Sequence, residues 1–128
     1  MIVVDTSALM AICLGEPEGP ACMQALQSAS GLLISAGTLS EAMIVADGRG
    51  QFDALEALLE GLGPSIIPVT AETALRVRAA YRRWGKGRHP ASLNLGDCFA
   101  YALAAERGCP LLFIGNDFAR TDIVSAIA

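Results

Sequence analysis

The chain begins with MIVVDTSALM, residues 1–10, and this stretch decides the fold. Residues 2–4 form an apolar, β-branched run that is typical of a short buried strand, and a carboxylate, Asp5, follows directly. The residues from Ser7 onwards have a helical pattern. Taken alone, Asp5 is most simply interpreted as a turn residue that binds local amides. Its meaning therefore depends on whether other carboxylates lie where they can meet it.

The rest of the chain repeats the alternation of strand and helix. The predicted strands are 2–5, 31–35, 65–69 and 111–114, with a short fifth one at 123–127. The predicted helices are 7–14, 21–29, 39–47, 52–62, 71–84 and 95–107. Pro68 has no amide proton for a ladder, which puts the third strand at a sheet edge. This pattern predicts one domain, residues 1–128, built as an α/β sandwich around a mostly parallel sheet of four to five strands.

The composition limits the class of protein. A hydrophobic fraction of 53% and a mean hydropathy of +0.47 are high, and they indicate either a surface reserved for a partner or second copy, or an alanine-rich core. No apolar stretch approaches the roughly 18 residues of a membrane helix. The four cysteines form no C-x-x-C pair. We therefore expect a cytoplasmic protein without disulfides or bound zinc.

The charge is unevenly distributed along the chain. The net charge of −4 argues against a protein that coats nucleic acid non-specifically. Six of the nine basic residues nevertheless fall between Arg76 and Arg88, and no acidic residue lies between Glu72 and Asp97. This segment predicts a local positive stripe on an otherwise acidic protein.

Four carboxylates are predicted to converge at one edge of the sheet. Sites in open parallel sheets form beyond the carboxyl ends of the strands, where the following helices begin. Asp5 ends the first strand, Asp117 follows the fourth, and Glu41 and Asp97 fall in the predicted first turns of two helices. Asp122 is a fifth acid in the same neighbourhood.

Each acid also has a purely structural interpretation. Glu41 fits a capping box with Thr38, and Asp97 fits a helix-start anion three residues after Asn94. Together, however, such carboxylates would repel one another, and a divalent cation would remove that penalty. Hard oxygen ligands favour Mg²⁺ or Mn²⁺ over zinc, and the single histidine, His89, lies in the basic segment.

Four blocks of sequence, in order, resemble the PIN-domain ribonucleases, and most closely the VapC toxins of bacterial toxin–antitoxin pairs. The blocks are D-T-S-A-L, S-E-A, G-K-G-R-H-P-A-x-L-N-x-G-D-C and G-N-D-F-x-x-T-D-I. The resemblance implies a three-layer α/β/α sandwich and a metal-dependent endoribonuclease. It also implies a homodimer and a small VapB-like antitoxin that inserts a basic side chain into the acidic site.

The resemblance also suggests roles for individual residues. It implies an acidic quartet of Asp5, Glu41, Asp97 and Asp117, and supporting roles for Asn116, Thr121 and Asp122. We expect Asp5, Asp97 and Asp117 to bind the metal directly, and Glu41 to act as a ligand or as a base that orients water. Thr6 or Ser7 is expected to hold Asp5 in place.

The positive stripe has a use in this interpretation. We expect its cations to hold the phosphates of single-stranded RNA and its aromatic rings to stack on bases. The candidate RNA-binding residues are Arg82, Arg83, Lys86, Arg88 and His89, with Arg76, Tyr81 and Trp84 as further members. The structural alternative is a solvated cationic helix face with Trp84 packed in the core.

Three other functions compete with this interpretation. A haloacid-dehalogenase-type phosphatase also starts with a strand-end aspartate, but it needs a second acid two residues later, where Ser7 lies. A structure-specific DNA nuclease needs an additional helical arch, for which the chain is short. A non-catalytic Mg²⁺-binding interaction domain of the receiver type needs paired acids at its first strand and a late lysine, and no lysine follows Lys86.

Overall fold

The centre of the molecule is a sheet of four parallel strands in the order β3-β2-β1-β4. In this computed structural model, which describes residues 1–127, the strands are β1 (Ile2–Val4), β2 (Leu32–Ser35), β3 (Ser65–Ile67) and β4 (Leu111–Leu112). Because β1 pairs with β2 on one side and with β4 on the other, the strand order reverses at β1. Such a reversal opens a crevice outside the carboxyl ends of the strands.

Helices connect the strands and cover both faces of the sheet. They are α1 (Thr6–Cys13), α2 (Gly19–Ser28), α3 (Ala36–Gly48), α4 (Phe52–Leu62), α5 (Ala71–Trp84) and α6 (Leu95–Arg107), with a 3₁₀ turn at Phe118–Arg120. The predicted α/β sandwich with a parallel sheet is therefore confirmed. Within residues 1–127, no helix is both long and apolar enough to cross a membrane.

Alternate residues of the strands supply two hydrophobic cores, as expected for a sheet that is buried on both faces. The core shared with α5 and α6 takes its strand residues from Val3, Leu33 and Leu111. The core shared with α1, α2, α3 and α4 takes them from Val4, Ile34 and Leu112. The apolar run before Asp5 is thus fixed from both sides, which makes β1 a rigid support for that carboxylate.

The strand bounds differ from the prediction near the end of the chain. β4 ends at Leu112 because the amide of Ile114 donates to Ser7 Oγ (3.0 Å) instead of continuing the ladder. The predicted fifth strand at 123–127 is wrong, since only one bridge forms there, between Leu111 and Ser125. The third strand does lie at the sheet edge, and it ends one residue before Pro68.

Candidate active site

Asp5 lies at the carboxyl end of β1, where the strand order reverses, and it caps α1. Its side chain is buried, with 3% of the residue exposed. Oδ2 accepts hydrogen bonds from the Ser7 amide (3.0 Å) and the Ser7 hydroxyl (2.7 Å), whereas Oδ1 is buried without a hydrogen-bond partner among the described residues. Burial raises the pKa of Asp5 from 3.8 to about 6, with smaller contributions from the charges of Asp97 and Glu41. The Ser7 bonds partly oppose that rise in pKa.

Ser7 joins the ends of two strands. Its hydroxyl donates to Asp5 and accepts from the amide of Ile114, just beyond β4. The hydroxyl of Thr6 is directed elsewhere, to Glu41. Of the two residues expected to support Asp5, Ser7 is therefore the one that hydrogen-bonds to its carboxylate through its side chain.

Glu41 lies in the second turn of α3, not in the first. Ser35 caps this helix by accepting from the Gly37 amide (3.2 Å), so α3 begins three residues before the predicted start. The structural alternative for Glu41, a capping box with Thr38, is consequently wrong. The Thr6 hydroxyl instead donates to Glu41 Oε1 (2.7 Å), which fixes the carboxylate beside the start of α1.

Asp97 is the third residue of α6 and has a structural partner. Asn94 Oδ1 accepts from the Asp97 amide (2.8 Å), and Asp97 Oδ2 accepts from the Asn94 amide (3.0 Å), which forms a reciprocal capping box. Burial nevertheless raises the pKa of Asp97, and the charges of Glu41 and Asp117 add to that rise. Asp97 Oδ2 is thus committed to the helix cap, and its other oxygen takes no part in that cap.

Asp117 lies in an exposed loop after β4, next to Asn116, which is also exposed. Gly115 makes the predicted turn there with a φ of 105°, a conformation that favours glycine. The charge of Asp117 contributes to the raised pKa of Asp97, so the two carboxylates are electrostatic neighbours. Thr121 binds locally, since its hydroxyl donates to the Phe118 carbonyl (2.7 Å).

Asp122 has partners on α5 and α6. Its Oδ1 accepts from the Tyr101 hydroxyl (2.5 Å), and its Oδ2 lies 3.5 Å from Arg83 Nη1. These contacts tie the C-terminal segment to α5 and α6. Both oxygens of Asp122 therefore have partners outside the quartet, and its expected supporting role remains a prediction.

Three residues of the positive stripe form one cluster, in which Arg83 and His89 both contact Trp84. Trp84 is buried, and its Nε1 donates to Tyr101 (2.9 Å). The His89 ring packs edge-on against Trp84 at 4.7 Å, and the Arg83 guanidinium lies 4.4 Å from the Trp84 ring centroid. Trp84 therefore has no free face for a base, whereas the Arg83 side chain beside it stays exposed.

Four other cations of the stripe line a broad groove of about 840 Å³. This basic groove is bordered by Arg78, Arg82, Lys86 and Arg88, with Tyr81 between them. Asn94 and Leu95, at the start of α6, also line the groove. The basic groove therefore leads to the helix start that carries Asp97. Arg76 lies outside it and pairs with Glu72 (2.8 Å).

Arg78 had no individual role in the sequence-based prediction. Its only local signal is its position in the stripe, four residues before Arg82 and therefore on the same helix face.

The quartet has the chemistry of a site for a hard divalent cation. All its donors are carboxylate oxygens, and Asp5 Oδ1 is a buried acceptor without a partner among the described residues. Within residues 1–127, no three acidic, histidine or cysteine side chains are already close enough to form a complete cage. Capping accounts for part of that spacing, because Asp97 is directed to Asn94 and Asp5 to Ser7. The donor set fits such a cation in its chemistry, and binding it would require these side chains to move closer together.

Comparison with known proteins identifies the family. The PIN domain profile matches residues 2–124. The chain belongs to the PIN domain family. It is 41% identical over 127 residues to ribonuclease VapC30 of Mycobacterium tuberculosis, and the match covers 97% of each chain. The resemblance to the PIN-domain VapC ribonucleases is therefore confirmed.

Solved structures share the fold. VapC20 of Mycobacterium tuberculosis, a toxin that cleaves the sarcin-ricin loop, superposes with a TM-score of 0.81 at 19% identity over the whole of both chains. The chain is also similar to a toxin–antitoxin complex from Klebsiella pneumoniae, with a TM-score of 0.73 and 24% identity over 98% of each chain.

Proposed function

We propose that this protein is a metal-dependent endoribonuclease and the toxin of a toxin–antitoxin pair, with Asp5, Glu41, Asp97 and Asp117 as its acidic quartet. One observation carries the proposal: a buried carboxylate, Asp5, has an oxygen without a hydrogen-bond partner among residues 1–127 and is influenced by the charges of two further acids. Burying such a group without a partner is costly, so a cation-binding role explains why the chain retains it. The relationship to VapC30 adds RNA as the substrate class.

The residues divide the work as follows. Asp5, Asp97 and Asp117 would hold the cation through carboxylate oxygens, and Glu41, held by Thr6, would be a further ligand or would orient a water. A bound divalent cation would lower the pKa of a water and neutralise the phosphodiester. Ser7 keeps Asp5 in one orientation, as supporting residues do in metal sites.

We infer Mg²⁺ as the working cation, with Mn²⁺ as an effective substitute. All four candidate ligands are hard carboxylate oxygens, which suit both ions better than they suit zinc. Two of the chain's four free thiols, Cys22 and Cys98, are buried, and burial raises the pKa of Cys98 to about 11. A thiol of that kind is a poor source of thiolate for a softer metal.

The metal requirement is tested by removing the ion. Excess EDTA is expected to reduce RNA cleavage to background, and added Mg²⁺ or Mn²⁺ to restore it. A cation at 100 times its Kd should also stabilise the fold by about 2.7 kcal/mol, which a rise in Tm would report. Undiminished cleavage in EDTA would contradict the proposal. Phosphate release from small phosphomonoesters with RNA left intact would favour a phosphatase, and metal binding without turnover would favour an interaction domain.

The basic groove is proposed to hold the RNA backbone. Four cations on an acidic protein line one channel that leads to the start of α6, and Tyr81 in the same wall offers a ring for stacking. A single strand fits this role better than a duplex, because its bases can be splayed out and read. Arg78 joins the expected RNA-binding set because it lines the groove. Arg83 and His89 contact Trp84, but the Arg83 side chain stays exposed, so their RNA-binding role remains a prediction.

The salt dependence of binding tests the basic groove. In an Asp5→Asn background that prevents cleavage, Arg82→Gln with Lys86→Gln should weaken binding to single-stranded RNA. Each lost phosphate contact should reduce the slope of log K against log salt by about 0.7. Fluorescence anisotropy at roughly 50 to 300 mM salt, a range over which the Debye length shortens, would measure this slope. Arg49→Gln, on an exposed residue after α3, is the matched control. An unchanged slope in the double variant would exclude the basic groove as the site that binds RNA phosphates.

The partners follow from the same reasoning. A small VapB-like antitoxin is proposed because a similar structure is a toxin–antitoxin complex. A homodimer is proposed because consecutive α3 residues Met43, Ile44 and Val45 are 38%, 73% and 37% exposed. Such an apolar strip is typical of a surface that another chain covers. A cytoplasmic location is proposed because all four cysteines are free thiols.

A further inference from the structure

Gly96 is the second residue of α6 and lies directly against the carboxylate of Glu41. A Cβ placed at Gly96 would be 2.8 Å from Glu41 Oε1 and 2.5 Å from Cδ, and closer still to Oε2. Non-bonded carbon contacts are favourable at about 3.5–4.0 Å, so these positions cannot be occupied together. The Glu41 carboxylate therefore fills the space in which any other side chain at position 96 would begin.

We propose that Gly96 is a positioning residue for Glu41; this inference rests on the proposed function of the quartet. The carboxylate is confined on two sides. Thr6 Oγ1 donates to Oε1 from α1 (2.7 Å), and the bare backbone of Gly96 closes the other side. A side chain at position 96 displaces the carboxylate from Thr6 and from its place beside Asp97.

A substitution at Gly96 is expected to displace the Glu41 carboxylate without destabilising the fold. The atoms that a new Cβ would meet are the far end of the flexible Glu41 side chain, which can swing away while the backbone stays in place. Alanine is also a better helix former than glycine. Gly37 differs from Gly96 in this respect. A Cβ at Gly37 would lie 2.5 Å from the packed ring of Phe99, which cannot swing away as the Glu41 side chain can.

Gly96→Ala is expected to lower RNA cleavage by about 10- to 100-fold, the usual effect of disturbing the support of a metal ligand. Its Mn²⁺ affinity, measured from the electron paramagnetic resonance signal of free Mn²⁺, should fall by about 10-fold. Its Tm should equal or exceed that of the wild type. Gly61→Ala, in α4 with no atom within 4 Å of the new Cβ, should leave cleavage unchanged, and Gly37→Ala should lower Tm.

A double-mutant cycle identifies Glu41 as the route of the effect. Glu41→Asp shortens the side chain by one methylene, which withdraws the carboxylate from Gly96. In that background, Gly96→Ala should cause little further loss of cleavage or of Mn²⁺ affinity, so the two effects should be far from additive. Wild-type cleavage and Mn²⁺ affinity in Gly96→Ala would overturn the inference, and so would an equal loss in the Glu41→Asp background. Wild-type protein that leaves RNA intact would instead contradict the proposed function.

Discussion

Asp5→Asn is expected to abolish RNA cleavage and, in the same protein, to raise the stability of the metal-free fold. The catalytic loss should be at least about 1,000-fold, because an amide cannot supply the negative charge that a divalent cation requires. The stability gain has a separate cause. Burial raises the pKa of Asp5 from 3.8 to about 6, so its ionised form opposes folding at neutral pH. That change in pKa corresponds to about 3 kcal/mol as an upper limit.

The raised pKa of Asp5 determines how its contribution to the free energy of unfolding changes with pH. Between pH 4 and 6, folded protein keeps a proton on Asp5 that unfolded protein has released, so this group lowers stability as pH rises through that window. Below about pH 4 both states are protonated, and above about pH 7 both are ionised. The advantage of Asp5→Asn in the free energy of unfolding should therefore grow from pH 4 to pH 6 and stay constant above pH 7.

Denaturant unfolding in EDTA at several pH values would measure this advantage, and single-turnover cleavage with Mg²⁺ would measure the loss of activity. Asp47→Asn changes an exposed acid of α3 by the same chemistry and should alter neither quantity. A variant that still cleaves RNA would show that Asp5 is not a ligand. One that is destabilised at pH 7.5 would show that the capping of α1 by Asp5 outweighs the cost of burying its charge.

The sequence predicts the fold to the extent that its signals are local. Period-two apolar runs and helical repeats predict four parallel strands and their helices. The bounds fail where distant residues intervene. β4 ends early because the Ile114 amide bonds to Ser7, which is 107 residues away in sequence. The T-x-x-E pattern at Thr38 satisfies the local rule for a capping box, but Ser35 caps the helix first.

The candidate site shows the same difference between features set by local sequence and features set by contacts between distant residues. Strand ends and helix starts predict that the quartet meets, because backbone topology alone brings those positions to one edge. The cations are less predictable, because a run of arginines on a helix does not reveal which ones pack on an aromatic ring. Arg82 borders the basic groove, whereas the next residue, Arg83, packs on Trp84. Gly96 has no sequence signal at all, since its role exists only where α3 meets α6.

Asp97 has two roles, as part of the capping box of α6 and as a proposed member of the quartet. Two substitutions are expected to distinguish these roles. Asp97→Asn should reduce cleavage by at least about 1,000-fold while the fold persists, because the amide oxygen still accepts from the Asn94 amide. It should not be less stable than the wild type, since burial and neighbouring charge already raise the pKa of this carboxyl.

Asp97→Ala should lose cleavage equally, but it also breaks the capping box and should lower stability by about 1 kcal/mol. Cleavage assays and Tm on both variants distinguish the two roles, with Glu106→Gln, at the exposed end of α6, as the control. Full RNase activity in Asp97→Asn would remove Asp97 from the quartet. If both variants lose activity and only Asp97→Ala loses stability, the capping box holds the start of α6 through Oδ2, and the charge of Asp97 serves the chemistry.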